Sequence, residues 1–244
     1  MNTNGRRGVV LDIETAQDDH AHVLSRRRGG APRGSPIHEV VNASALSFRE
    51  RPDGSITNFE LNSWHQPDYL EADILANVDA ALASVVEDDG LVVTFNGTAH
   101  DLPTLRMRQL RWWLCELDGV ERVQTGGAQH MDVMLAMSGG GEGRWPTLAD
   151  ACASVGFSLL GPNGAGRRSP IPRVVEKCEL DVVGTAILMH YVLAGNARSR
   201  RPLESGLPAF GRFVRSIAAT RPHLERFALS RLLADDAMAW GPKV

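Results

Sequence analysis

The stretch Val9-Val-Leu-Asp-Ile-Glu14 decides the fold, because it sets two acids within a short aliphatic run rich in β-branched residues. Such a run predicts a buried strand. Side chains alternate along a strand, so Asp12 and Glu14 share one face, with Cβ atoms roughly 6 to 7 Å apart. At that separation both carboxylates can bind one hard cation. The alternative is that the strand ends at Leu11 and both acids are solvated.

The segments that follow predict an α/β protein. Two strands, over 39–48 and 56–62, are separated by the turn-forming Arg51-Pro-Asp-Gly54, which with the first strand indicates an antiparallel meander. A helix over 68–87, a strand over 91–95 and a helix over 102–114 come next. We therefore expect a mixed five-stranded sheet, three antiparallel strands and then parallel strands, flanked by helices. This order resembles the RNase H-like fold.

The remaining patterns complete one large domain. An apolar stretch over 129–137 surrounds Asp132, and a short helix over 147–155 is capped by Thr147. A Gly- and Pro-rich loop over 161–172 precedes a long helix that begins at Val174, and weaker helices cover 208–218 and 223–233. Segment 16–36 fits no period and predicts a long mobile loop. We expect one domain over 1–195, including that loop, with 196–244 as its C-terminal helical extension.

Composition is that of an ordinary globular protein, with 43% hydrophobic and 23% charged residues. The longest apolar stretch, 184–193, is too short and interrupted for a membrane span and predicts a core helix. No secretory segment opens the chain, so a cytoplasmic location is expected. Three scattered cysteines indicate reduced, mostly buried thiols. The net charge of −3 argues against bulk electrostatic binding of nucleic acid, but not against an acidic site that holds divalent cations.

Two more acids lie at core elements. Asp101 stands where the strand over 91–95 leads into the next helix, and a helix N-cap is its alternative role. Asp181 falls on the apolar stripe of the long helix with Val174 and Cys178, where an unpaired charge is costly. Because the four acids fall after or within three separate predicted core elements, we predict that they meet at the edge of the sheet.

The acids also lie in recognisable motifs. Asp12-Ile-Glu-Thr15 resembles the first exonuclease motif of the DEDD superfamily, and Asn96 with His100-Asp101 resembles the second. Lys177-Cys-Glu-Leu-Asp181 is similar to the third, which reads Tyr-x₃-Asp in the tyrosine branch. In particular the chain resembles the predicted 3′→5′ exonucleases related to the exonuclease domain of family B DNA polymerases, which share a Met-Asp segment like Met131-Asp132.

This resemblance implies a metal-dependent 3′→5′ exonuclease that hydrolyses single-stranded nucleic acid, DNA favoured over RNA, and releases nucleoside monophosphates. Two Mg²⁺ or Mn²⁺ ions are expected, one bound by Asp12, Glu14 and Asp181, the other by Asp12 and Asp101. Thr15 and Asn96 match substrate-contacting positions, with local hydrogen bonds to backbone as an equal alternative. The implied partners are the 3′ end of a DNA or RNA strand and replication or repair proteins, and no membrane.

Two positions depart from the family pattern. His100 stands where an aromatic residue is usual, and Lys177 replaces the tyrosine that helps to position the attacking water. Glu176 occupies the place of the histidine of the other branch. Either Lys177 or His100 takes over as a catalytic group, or bound metal alone activates water. A second hypothesis is a nucleic-acid-binding protein that keeps the fold and has little or no catalysis.

Substrate contacts outside the motifs are open to two interpretations. Phosphate contacts are predicted for four arginines, with a solvated surface as the alternative: Arg106, Arg108, Arg167 and Arg168. Base stacking is predicted for four aromatic residues, with core packing as the alternative: Phe95, Trp112, Trp113 and Trp145.

Overall fold

Five strands form one mixed sheet in the computed structural model, which describes residues 5–25, 37–139, 146–159, 174–228, 230 and 233. They are β1 (Arg6–Gln17), β2 (His38–Glu50), β3 (Ile56–His65), β4 (Leu91–Thr94) and β5 (Gln129–Asp132). Their order is β3-β2-β1-β4-β5. The pairs β1–β2 and β2–β3 are antiparallel, whereas β1–β4 and β4–β5 are parallel. The predicted sequence of antiparallel and then parallel strands is confirmed.

Helices cover both faces of this sheet. In chain order they are α1 (Asp19–Ser25), α2 (Glu71–Val86), α3 (Asp101–Arg111), α4 (Gly119–Gln124), α5 (Val133–Ser138), α6 (Leu148–Ser154), α7 (Val174–Ala197), α8 (Leu207–Ala218) and α9 (Glu225–Ala228). A short π-helical turn (Pro202–Gly206) precedes α8, and a 3₁₀ turn (Pro222–Leu224) precedes α9.

Strand β1 lies between two hydrophobic clusters because its side chains alternate. Val9, Leu11 and Ile13 pack into the cluster on the α2 side, whereas Val10 packs into the cluster that contains α7. Asp12 and Glu14 have the same parity as Val10 and therefore face α7. The strand does not end at Leu11, so the interpretation of both acids as solvated loop residues is wrong.

Helix α7 is the main core helix of the second cluster. It is long and apolar enough to span a membrane by length and composition, but 72% of its apolar window is buried inside the protein. The predicted core helix over 184–193 is therefore confirmed. Cys178 is buried on α7 and Cys152 is buried on α6, whereas Cys115 is exposed.

Segment 16–36 is more ordered than the sequence predicts. Ala16 and Gln17 continue β1, and α1 follows directly, so the prediction of a mobile loop is wrong for 16–25. Pairing with β2 explains this order, since a polar strand end needs no periodic apolar pattern when its backbone is bonded to a neighbour. The rest of that segment, 26–36, lies outside the described residues.

Other boundaries also differ from expectation. The stretch 129–137 divides into strand β5 and helix α5. Where a single helix is expected over 223–233, the described residues to Ala228 form a 3₁₀ turn followed by the four-residue α9. Thr147 caps α6 as predicted, accepting a hydrogen bond from the Asp150 amide. The predicted loop over 161–172 lies outside the described residues.

The C-terminal helices pack onto the same core as α7. Leu207, Phe210, Val214 and Phe227 are all buried in the α7 cluster. Buried Glu179 on α7 accepts hydrogen bonds from Arg221 at 3.1 Å and contacts His223 Nε2 at 2.7 Å. This carboxylate therefore fastens the chain segment before α9 to the core helix.

Candidate metal centre

Three predicted carboxylates meet between β1 and α7. Asp12 and Glu14 come from β1, Asp181 comes from α7, and one oxygen of each lies within 4.8 Å of the others. Opposite oxygen ligands of one hard cation are about 4 to 5 Å apart, so this spacing suits a single Mg²⁺, Mn²⁺ or Ca²⁺ ion. Acids separated by more than 160 residues in the chain therefore form one candidate ligand set.

Asp12 is the member of this set least compatible with an ion-free site. Its Oδ2 atom is buried and has no hydrogen-bond partner among the described residues. Burial, followed by the nearby charges of Asp101, Asp181 and Glu14, raises the pKa of Asp12 well above its ordinary value. A divalent cation would supply the missing partner and offset the repulsion among the acids, so the residues fit such an ion.

Asp101 adjoins the three carboxylates but is not one of the mutually close set. It is the first residue of α3 and is 3% exposed. His100 contacts one of its oxygens (Nδ1 to Oδ1, 2.8 Å), while Oδ2 is buried and no residue in the described part of the chain bonds it. Burial raises the pKa of Asp101 despite His100, and the hydrogen bond to Asp101 raises the pKa of His100. Its free oxygen is available to a second ion.

The alternative interpretation of Asp101 as a helix N-cap is wrong. The N-cap position of α3 is His100, and no side chain makes a capping hydrogen bond there. The Asp101 carboxylate is instead directed to the His100 ring. Helix capping therefore does not explain the position of the Asp101 carboxylate.

Lys177 lies inside the acidic group. On α7 it stands one turn before Asp181, and its ammonium donates to Asp181 Oδ2 at 3.0 Å and also to Glu14 Oε1. Partial burial disfavours its charge, but Asp181 and Glu14 outweigh burial and raise the pKa of Lys177. For Glu14 burial is the larger effect, and the pKa of Glu14 is raised even with Lys177 beside it.

The loop between β4 and α3 is held by Asp132, a residue to which the sequence assigned no role. Asp132 ends β5, and its carboxylate accepts hydrogen bonds from the backbone amides of Asn96 at 3.0 Å and Thr98 at 3.1 Å. It also caps α5 by accepting from the Leu135 amide. An acid at the end of an apolar run and directly before a helix is the sequence signal that could have identified it.

Asn96 itself has a left-handed backbone conformation, with φ of 66°. This geometry turns the chain sharply after β4, and Gly97 follows where a Cβ atom would lie 2.3 Å from the Thr94 hydroxyl. The loop is therefore shaped by close packing on β4. Within the described part of the chain the Asn96 side chain makes no hydrogen bond to the carboxylates, and its role at a substrate stays a prediction.

Thr15 follows Glu14 on β1, at the point where the pairing with β2 becomes irregular. The pairing of β1 with β2 shifts between Glu14 and Thr15, which leaves Val41 as an extra residue in β2. The Thr15 hydroxyl lies 3.3 Å from His38 Nδ1. Its role at a substrate also remains a prediction.

Asn42 is a buried polar residue beside Glu14 that sequence reasoning missed. It pairs with Glu14 across β1 and β2, so the two side chains lie on the same face. It is fully buried, and neither its Nδ2 nor its Oδ1 atom has a partner. No sequence signal marks it, because a single Asn within a strand gives no indication of what it faces.

Two of the four arginines expected at phosphates, Arg106 and Arg108, are paired with acids away from the carboxylates. Arg108 is 2% exposed and pairs with Glu71 at 2.6 Å and Asp18 at 2.9 Å, so its prediction as a phosphate contact is wrong. Arg106 pairs with Glu121 on α4 at 2.5 Å, and among the described residues it forms no ion pair with the carboxylates. Arg167 and Arg168 lie outside the described residues.

The aromatic candidates differ in exposure. Trp113 is 85% exposed and Trp112 about half exposed, so neither is the core residue that the alternative interpretation required. Phe95 packs partly buried against the α7 cluster. Trp145 lies outside the described residues.

A cavity of about 760 Å³ opens at the opposite end of the strands from the carboxylates. Two of its arginines are paired with acids, Arg6 with Glu50 and Arg201 with Asp53. These four charges therefore neutralise one another in pairs, whereas the carboxylate site holds more acids than bases.

No protein-family model matches the sequence, and no curated protein matches it. Among solved structures, the fold is similar to the family B DNA polymerase from the hyperthermophilic archaeon Pyrobaculum calidifontis, with a TM-score of 0.44 and 14% identity over 88% of this chain and 29% of that one. It is also similar to E. coli ExoI in its zinc-bound complex with ssDNA (TM-score 0.40, 13% identity, 87% and 43% covered). The ExoI/SSB-Ct complex gives a TM-score of 0.38, 13% identity and coverage of 88% and 46%. The chain spans less than half the length of each of these proteins.

Proposed function

We propose that this protein is a metal-dependent 3′→5′ exonuclease that shortens single-stranded nucleic acid, DNA in preference to RNA, and releases nucleoside monophosphates. One observation carries the proposal: the convergence of Asp12, Glu14 and Asp181 into a set of oxygens spaced for a hard divalent ion. Polarity and the preference for DNA follow from the motif resemblance alone. A cytoplasmic location, and replication or repair proteins as partners, belong to the same proposal.

The carboxylates have separate tasks in this proposal. Asp12, Glu14 and Asp181 would hold one Mg²⁺ or Mn²⁺, and the free oxygens of Asp12 and Asp101 would hold a second. When bound, such ions activate water and stabilise the leaving 3′ oxygen at the phosphodiester. His100 orients Asp101 through its Nδ1 contact, and Asp132 fixes the loop that carries both residues.

Thr15, Asn96 and Arg106 are the proposed substrate-binding residues, together with His100. Thr15 follows Glu14 on the strand that carries two ligands, and Asn96 lies in the loop before Asp101. Both positions are therefore within a few residues of a ligand, which suits a terminal nucleotide. Arg106 has the weakest support, because Glu121 already binds its guanidinium group.

A labelled strand provides the test. With Mn²⁺ or Mg²⁺, a single-stranded oligonucleotide labelled at its 5′ end should shorten in a ladder of one-nucleotide steps, and Asp12→Ala should abolish the ladder. The strand labelled at its 3′ end should instead release labelled mononucleotide at once. Glu60→Gln, which changes an acid on β3 outside the site, is the matched control and should retain activity. A flat time course with both metals, on both DNA and RNA, would refute the proposal.

A second candidate function is strand binding without efficient hydrolysis. The observation that favours it is Lys177, which stands at the tyrosine position of the third motif and is ion-paired to Glu14 and Asp181. Tight strand binding in EDTA with no turnover in either metal would favour this candidate. Turnover gained in Lys177→Tyr would show that the hydrolytic framework is intact.

A further inference from the structure

From the contacts of Lys177, we infer that its ammonium is an internal counter-cation, which a divalent ion must displace to bind Glu14 and Asp181. This inference depends on the metal site of the proposed function but not on its substrate. It assigns Lys177 the role of a positioning residue that sets the affinity for metal.

The Lys177 ammonium lies against two of the proposed metal ligands. It donates both to Asp181 Oδ2, at 3.0 Å, and to Glu14 Oε1, and these two residues belong to the set of three close carboxylates. A Mg²⁺ or Mn²⁺ ion binds carboxylate oxygens at about 2.1 Å. An ion bound to both residues would therefore stand within a few ångströms of the ammonium, where the two positive charges repel each other strongly.

The ammonium can also move into solvent. The Lys177 side chain is 48% exposed, whereas Glu14 and Asp181 are 18% and 21% exposed. Its four-carbon stem can rotate the charge into water while the carboxylates stay in place. Displacement therefore needs a change in one side chain and no movement of α7.

The choice of lysine at position 177 also supports exchange with a metal ion. The whole sequence contains two lysines, Lys177 and Lys243, against 24 arginines. The buried cation that links Asp18 and Glu71 is an arginine, Arg108, whose planar group bonds Glu71 through two nitrogens. A lysine makes single, rotatable contacts and is a compact point charge, so it is the basic side chain better suited to exchange with a metal ion.

Metal affinity gives the test. In Lys177→Met the competing charge is gone, so the dissociation constant for Mn²⁺, measured by electron paramagnetic resonance or calorimetry without nucleic acid, should fall by about tenfold or more. The same variant should unfold at a lower temperature in EDTA, because three acids then face one another without a cation, and Mn²⁺ should raise its melting temperature more than that of the wild type. Arg201→Met removes a cation from the exposed pair with Asp53 and is the charge-matched control, with unchanged Mn²⁺ affinity.

A second measurement uses the wild-type protein, in case the variant fails to fold. Acylation with an amine-directed reagent, followed by mass spectrometry, compares Lys177 with Lys243 as internal reference. Saturating Mn²⁺ should increase the relative rate at Lys177 severalfold, because the amine leaves its carboxylate partners for solvent. An unchanged or tighter-protected Lys177, an Mn²⁺ affinity that is equal or weaker in Lys177→Met, or no Mn²⁺ binding by either protein would each overturn the inference. Tighter metal binding without any strand cleavage would uphold it and count against the proposed function.

Discussion

Asp12 has a buried oxygen without a hydrogen-bond partner, and Asp101, Asp181 and Glu14 add their negative charges nearby. Each of these effects favours the protonated form. A carboxyl whose pKa is higher in the folded than in the unfolded protein contributes stability at low pH, and this contribution is lost as pH rises through the folded value. At neutral pH, without metal, Asp12 therefore destabilises the fold.

Asp12→Asn should separate stability from activity. The variant should lose strand cleavage, and in EDTA it should melt a few degrees above the wild type at neutral pH, since a buried charge has been removed. The advantage should be absent at low pH and grow as pH rises through the raised pKa of Asp12. Thermal unfolding at several pH values, with and without Mn²⁺, measures this. A variant less stable than the wild type at neutral pH in EDTA would contradict the argument.

Asn42 presents a similar conflict without charge. Both polar atoms of its amide are buried and unpartnered, and leaving such groups unpaired costs about 1 to 3 kcal/mol. Asn42→Val suits a central strand and should raise the free energy of unfolding by about 1 kcal/mol in urea titrations. Asn62→Val, on an exposed position of β3, is the control for strand propensity and should change stability little. A loss of stability in Asn42→Val would mean that the amide has bonding partners in solution.

At the scale of elements, the site depends on how β5 supports the loop between β4 and α3. Asp132→Ala removes the acceptor for the Asn96 and Thr98 amides and the cap of α5, with an expected loss of about 2 to 4 kcal/mol in the free energy of unfolding. Asp132→Asn keeps one acceptor oxygen and should lose less. Both losses are measured by urea unfolding.

The same two variants should affect the site selectively. The displaced loop carries Asp101, so turnover at saturating Mn²⁺ should fall. The affinity for the ion held by Asp12, Glu14 and Asp181 should stay close to that of the wild type, because those residues lie on β1 and α7. Equal losses of turnover and of this affinity would show instead that the variants damage the whole site.

How far the sequence predicts these elements depends on the range of the interactions that form them. Strand β1 and helix α7 follow from their own apolar patterns, and the face shared by Asp12 and Glu14 follows from strand alternation. Strand β5 has only four residues, and its order comes from pairing with β4, which no local pattern reveals. For the same reason α1, which has no buried residue, could not be distinguished from a loop.

The site was predictable to a similar extent. Its acids could be identified because a charge within an apolar run is unusual wherever it occurs. The partners of those acids could not, because Lys177, His100 and Asp132 acquire their roles through contacts that depend on the packing of α7, α3 and β5. Arg108 shows the reverse error, since an arginine on a helix looks solvated until Glu71 and Asp18 are seen beside it.

On the scale of the whole molecule, a network around Arg108 joins four parts of the chain. Glu71, at the start of α2, accepts from Arg108, from the Val40 amide of β2 and from Trp112 Nε1. Asp18, directly after β1, takes a further guanidinium nitrogen. The end of β1, β2, α2 and α3 are thus held around one buried charge.

Arg108→Met should destabilise the protein by about 3 to 5 kcal/mol in urea unfolding, because two acids are then left buried without a cation. Adding Glu71→Leu removes one of those acids and should recover part of the loss. Arg106→Met, which breaks a largely surface pair with Glu121, should cost about 1 kcal/mol or less. If the loss of unfolding free energy in the double variant equals the sum of the losses in its two single variants, this account of the network is contradicted.

The buried arginine has a consequence for how the end of β1 differs from the carboxylate site beside it. Beyond Gln17 the acids are neutralised by a guanidinium that belongs to the polypeptide and stays with it, so that part of the framework keeps its shape whatever ions the surroundings contain. A few residues earlier, at Asp12 and Glu14, the negative charge is neutralised by the Lys177 ammonium, which can rotate into solvent, or by a metal ion from solution. A response to dissolved metal is therefore expected at the carboxylates of β1, next to a framework whose charges are already paired within the protein.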